Sequence, residues 1–85
     1  MSTYAERCRD NAAEMEQAAA EHRAEGRMDA AEKCERVACR CRAKAEAAEA
    51  QARAIAHRNV GHFDAADAEE RLAREAERRA AEVHP

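Results

Sequence analysis

Small and apolar residues recur along the chain at three- and four-residue steps, with charged residues filling the intervals, and that spacing predicts helix nearly throughout. Two stretches interrupt it. Residues 22–31 read HRAEGRMDAA and residues 57–66 read HRNVGHFDAA, so Gly26 and Gly61 stand 35 residues apart. Each stretch reads as a helix stop followed by a helix start. His and Arg in a last turn suit the negative end of the helix dipole. Gly just past the end takes the left-handed conformation that closes a helix. Asp29 and Asp64 then stand where N-caps are expected, with Glu32 and Asp67 spaced as in a capping box. Thr3 and Glu6 form a further capping box at the start. The predicted helices cover about residues 3–25, 29–59 and 64–83.

The inner faces follow from the same spacing. Helix 1 carries a stripe of Tyr4, Cys8, Met15, Ala18 and His22, interrupted by Asn11. An Asn in such a seam sets register or pairing. Helix 2 carries one unbroken seam of Ala31, Cys34, Ala38, Cys41, Ala45, Ala48, Ala52 and Ile55, with Met28 and Val37 set aside for a second neighbour. Helix 3 turns Ala65, Ala66, Leu72, Ala73, Ala76, Ala80 and Val83 inward, with Phe63 folding back as a staple. Two short corners joining three helices predict consecutive helical hairpins. The expected fold is all-α: one domain over residues 1–85, an antiparallel up-down-up three-helix bundle with a long central helix and Ala-rich seams.

Composition sharpens this picture. The hydrophobic fraction is 46%, but 25 of those residues are Ala and 4 are Cys. Ten large apolar or aromatic side chains remain: Met1, Tyr4, Met15, Met28, Val37, Ile55, Val60, Phe63, Leu72 and Val83. Ala, Glu and Arg are strong helix formers, so the chain suits long helices with a thin core. A domain this small is marginal even with an ordinary core, so self-association or a partner is expected. Net charge is −3, divided as −3 over residues 1–25, +3 over 26–60 and −3 over 61–85. A basic middle helix between two acidic ones favours the antiparallel arrangement.

The corners resemble those of tetratricopeptide-type helical repeats, in which Gly-x-Tyr-x-x-Ala is followed by another Ala seven residues on. Gly26, Met28, Ala31 and Ala38 match that spacing, and so do Gly61, Phe63, Ala66 and Ala73. The 35-residue period is close to that family's own. The likeness covers about 60 residues; the family's large residues on its first helix are Ala or charged here. It implies peptide or protein binding, and a helix break near residue 40.

Candidate chemistry is sparse. Cys34 and Cys41 share a helix face, seven residues apart, and Cys39 points elsewhere. No CxxC occurs. Cys8, Cys34 and Cys41 read as small core residues, and they are the ligands a metal would use if the helices crossed suitably. No metal and no cofactor is expected. His22 and His57 occupy equivalent positions near helix ends, and His62 and His84 lack evident partners. There is no glycine-rich phosphate loop, and three slim helices leave little room for a catalytic pocket. Lys33, Arg36, Arg40 and Lys44 form a basic stripe on helix 2. It is expected to pair with acids of helices 1 and 3, or to meet an acidic partner. Phosphate contacts would use the same stripe, but the acidic balance and two aromatics count against nucleic acid. Tyr4, Ile55, Val60 and Phe63 are expected at one end, as a local mini-core or as a contact patch.

No apolar run reaches membrane-spanning length, and the start MSTYAERCRDN lacks the apolar stretch of an export signal. The expected place is the cytoplasm, with reduced thiols. The expected role is a non-catalytic helical module for protein–protein contact, self-associating as a homodimer. A Cys-based metal-binding bundle and a nucleic-acid accessory protein stand as alternatives.

Overall fold

A computed structural model describes residues 1–83 of the chain; His84 and Pro85 lie outside the described residues. Three helices follow in order: α1 (Tyr4–Ala24), α2 (Met28–Asn59) and α3 (Phe63–Glu82). They run up, down and up. The first is capped as its sequence predicts. The Glu6 amide donates to Thr3 Oγ1 at 3.1 Å, and Thr3 Oγ1 donates to Glu6 Oε1 at 3.3 Å.

Both corners close in the same way. Gly26 has φ +79° and Gly61 has φ +82°, the left-handed region where a side chain costs energy. In the first, the Arg27 amide donates to the His22 carbonyl at 2.8 Å and the Gly26 amide donates to that of Arg23 at 3.1 Å. In the second, His62 donates to His57 at 2.8 Å and Gly61 to Arg58 at 3.2 Å. These two-bond closures are Schellman motifs, which satisfy carbonyls that a helix end leaves open. The starts differ from expectation. Arg27 and His62, not Asp29 and Asp64, hold the N-cap positions, and neither makes a side-chain cap bond. The tight closure leaves three residues between the helices at each corner, so the next helix begins at Met28 or Phe63 and each Asp falls within its first turn. There the carboxylate still faces the positive end of the dipole. Phe63, as the first helical residue, stays 58% exposed and is not a staple.

α2 runs unbroken through residue 40, where the repeat resemblance implies an interruption. No Gly or Pro lies between Met28 and Asn59 to break it. Both flanking helices pack on α2, and they do not pack on each other. The molecule is therefore an open bundle one helix thick, with Cα extents of 53 × 29 × 13 Å.

The central helix needs two seams for this. Ala31, Ala38 and Ala45 form one buried row, facing α1. Ala43, Ala47, Ala50 and Ala54 form the other, facing α3. At 3.6 residues per turn the rows lie about half a turn apart. The single seam read from the sequence corresponds to the first row; its far members Ala52 and Ile55 are exposed. Val37 is half-buried and Met28 is 50% exposed, so α3 is met by Ala instead. On α1 the buried residues are Cys8, Ala12 and Ala19, and Asn11 is exposed beside the seam. On α3 they are Ala66, Ala73, Ala76 and Ala80, while Leu72 is 50% exposed.

The whole core is Ala with one Cys. Small side chains let helix axes come close, and close approach replaces bulk as the source of contact. Six pairs of buried positions stand 35 residues apart: Cys8 and Ala43, Ala12 and Ala47, Ala19 and Ala54, Ala31 and Ala66, Ala38 and Ala73, Ala45 and Ala80. The α1–α2 and α2–α3 interfaces are thus two copies of one hairpin, and α2 serves as second helix of one and first helix of the other.

Candidate interaction surface

The large apolar side chains lie outside. Met1, Tyr4, Met28, Ile55, Val60, Phe63 and Leu72 are each at least half exposed, and Met15, Val37 and Val83 are half-buried. Not one of the ten is buried. Tyr4, Ile55, Val60 and Phe63 therefore close no mini-core. Tyr4 and Ile55 line separate grooves. Tyr4 borders Arg7, Cys8 and Asn11 on α1, whereas Ile55 sits over the α2–α3 groove beside Ala54 and Ala73. The Cys8 thiol beside the Tyr4 hydroxyl, with a smaller effect of Cys41, raises the pKa of the phenol above its ordinary 10.0.

A ladder of ion pairs marks one side of the α1–α2 hairpin. Arg9, Glu16 and Arg23 follow one another at seven-residue steps on α1 and meet Glu49, Arg42 and Glu35 on α2. The signs alternate, so the ladder fixes both register and direction. Glu46 and Arg53 continue the same row of α2 and reach the other way, to Arg79 and Glu69 on α3. The carboxylates of Glu49 and Glu35 raise the pKa of the Arg9 and Arg23 guanidiniums further, so both stay charged throughout. The groove here, about 460 Å³ between Arg9, Glu46, Arg53, Leu72 and Arg79, is dominated by charges already paired.

The other side of the α1–α2 hairpin has no such ladder. About half a turn from the paired row, α2 presents Lys33, Val37, Lys44, Ala48, Gln51 and Ile55. α1 adds Tyr4, Asn11, Met15, Ala18 and His22, turned away from its own paired row.

The basic stripe does not pair as expected. Among the described residues Lys33, Arg36 and Lys44 make no ion pair. Arg36 Nε is buried without a hydrogen-bond partner among them. Arg40 donates to the Val83 carbonyl at 3.1 Å, which serves the end of α3. Of the acids on the flanking helices, Glu16 of α1 and Glu69 of α3 are engaged by the ladder, on the other side of α2.

Cys8 is buried, Cys34 and Cys41 are half-buried, and Cys39 is exposed. Among the described residues no three His, Cys, Asp or Glu side chains converge as a metal ion requires. His22 Nδ1 accepts a hydrogen bond from Arg27 Nε at 3.2 Å, and the His57 ring lies 5.9 Å from that of His62. Among the described residues no helix is long and apolar enough to cross a membrane.

Half-buried Met15, Cys34 and Cys41 are surface residues that the spacing assigns to seams, and half-buried Val37 is the one it sets aside for a second neighbour. Their signal was present in the 35-residue equivalence: Met15 and Cys41 correspond to buried Ala50 and Ala76, so a larger side chain stands where the partner copy has Ala. No family model matches the chain, and no curated protein or solved structure matches it either.

Proposed function

We propose that this chain is a non-catalytic helical module that acts through protein–protein contact, and that one of its partners is itself. One observation carries the proposal: none of the ten large apolar side chains is buried, seven are at least half exposed, and the buried residues among those described are Ala with Cys8. Water-exposed apolar groups this numerous are stabilised when another surface covers them. The thin interior points the same way, since a core without large side chains leaves part of the stabilisation to association. The groove between Arg9, Glu46, Arg53 and Arg79 favours contact over catalysis, because its Arg side chains are each held by a carboxylate.

The test is photo-crosslinking in the source cell, with a benzophenone amino acid placed at Phe63, at Val37 or, as a control, at Arg78. Adducts from Phe63 or Val37 that mass spectrometry identifies as one defined protein, this chain or another, support the proposal. Absence of any protein adduct at both positions overturns it.

A further inference from the structure

The ladder-free side of the α1–α2 hairpin has the chemistry of a surface that meets a copy of itself. Its middle is uncharged: Met15 and Ala18 on α1, and Cys34, Val37, Cys41 and Ala48 on α2, all half-buried. Its margins are charged and opposite in sign. Lys33 and Lys44 edge it on α2, and Glu14 and Glu21 edge it on α1, with Arg7 at the far end of the α1 margin, level with uncharged Gln51. Both lysines and both glutamates are exposed, and none has an ion-pair partner among the described residues.

Resting on the interaction reading above, we propose that two copies of the chain pair through this side. The two-fold axis runs along the α1–α2 groove, so that α1 of each lies over α2 of the other. The result is an antiparallel four-helix bundle with both copies of α3 as outer wings.

Three observations select this occupant. The first is register. A two-fold axis parallel to the helices leaves every residue at its own level. The ladder sets Glu16 against Arg42, so two residues away it sets Glu14 level with Lys44. In the pair, Lys44 of one copy meets Glu14 of the other, and Lys33 comes to the region of Glu21. The second is charge. Basic α2 placed over acidic α1 is attractive, whereas α2 laid on α2 would oppose like charges. The third is extent. α1 is 21 residues long, which gives a face of about 30 Å by about 18 Å, or roughly 1,000 Å² between two copies, the size of a reversible interface. α3 is left outside for a matching reason: its same side presents Glu70, Arg74 and Glu77, which suit water.

The experiment is sedimentation equilibrium on the full chain, with three variants: Lys44→Glu, Glu14→Lys and the two combined. The wild type is expected at twice the 9.4 kDa chain mass. Each single reversal is expected to weaken the pairing by about tenfold or more, and the double reversal to restore it to within about threefold of wild type. Because neither side chain has an ion-pair partner among the described residues of its own chain, restoration reports contact between copies, and circular dichroism confirms unchanged helicity. A monomeric wild type, or a dimer indifferent to the single reversals, overturns the pairing. A monomer that still crosslinks from Val37 to another identified protein overturns the pairing and the self-association, while leaving the reading of protein–protein contact standing; a monomer with no protein adduct overturns both.

Discussion

The imidazole of His62 lies 5.9 Å from that of His57, tilted by 41°, in the place where the first corner sets Arg27 against His22. In each corner these are the residues whose main chains close the helix end, so one closure tolerates two side-chain pairings. His62→Arg is therefore expected to change stability by no more than about 0.5 kcal/mol. Chemical denaturation of the variant checks this.

The glycines between those pairs are another matter. An added Cβ at Gly26 or Gly61 meets no atom within 4 Å, so the cost of a side chain there is backbone strain alone. Gly26→Ala and Gly61→Ala are each expected to destabilise by about 1–2 kcal/mol. Equal losses in urea unfolding would match the equivalence of the corners; a neutral result at either would contradict it.

The seams make a paired prediction. Ala45 is fully buried between α1 and α2, and Ala52, one heptad further along the same helix, is exposed. Ala45→Leu forces the helices apart and is expected to cost about 1–3 kcal/mol, whereas Ala52→Leu is expected to stay within about 0.5 kcal/mol. Melting temperatures of the two variants separate a close-packed seam from a loose one.

Tyr4 is the chain's one tyrosine, so its ionisation is read directly from ultraviolet absorbance. Cys8 raises its pKa, so folding holds the phenol proton more tightly than the unfolded chain does. The associated stability is present below pH 10.0, the ordinary value, and is lost as pH rises through the folded pKa. The titration midpoint is expected above 10.0, and Cys8→Ala is expected to move it back down.

Local grammar was the readable part of this fold. Thr3, Gly26 and Gly61 state their backbone roles through chemistry that acts over four or five residues, so helix number and direction followed from them. Ala is the opposite case. It is an equally good helix former inside and outside, and α2 alone carries buried Ala38, half-buried Ala48 and exposed Ala52. Periodicity in such a chain picks out one seam where two exist. The large apolar residues misled for a related reason. Ile55, Leu72 and Phe63 carry the strongest burial preference in isolation, but two backbones drawn together by Ala leave no space between them for rings or branched chains. The destination of Lys33 and Lys44 was hidden as well, since the acids near them in sequence are turned to the far side of α2.

α1 and α3 touch α2 and not each other. Each outer helix therefore answers to a single neighbour, and the molecule is a chain of two links joined at one bar. Loosening one link removes no contact from the other, so opening proceeds from either edge as separate events, and strain at one corner reaches the opposite corner only along the length of α2. Pairing through the α1–α2 side would clamp one link and leave the other free, so that α3 becomes the mobile arm of an otherwise fastened assembly.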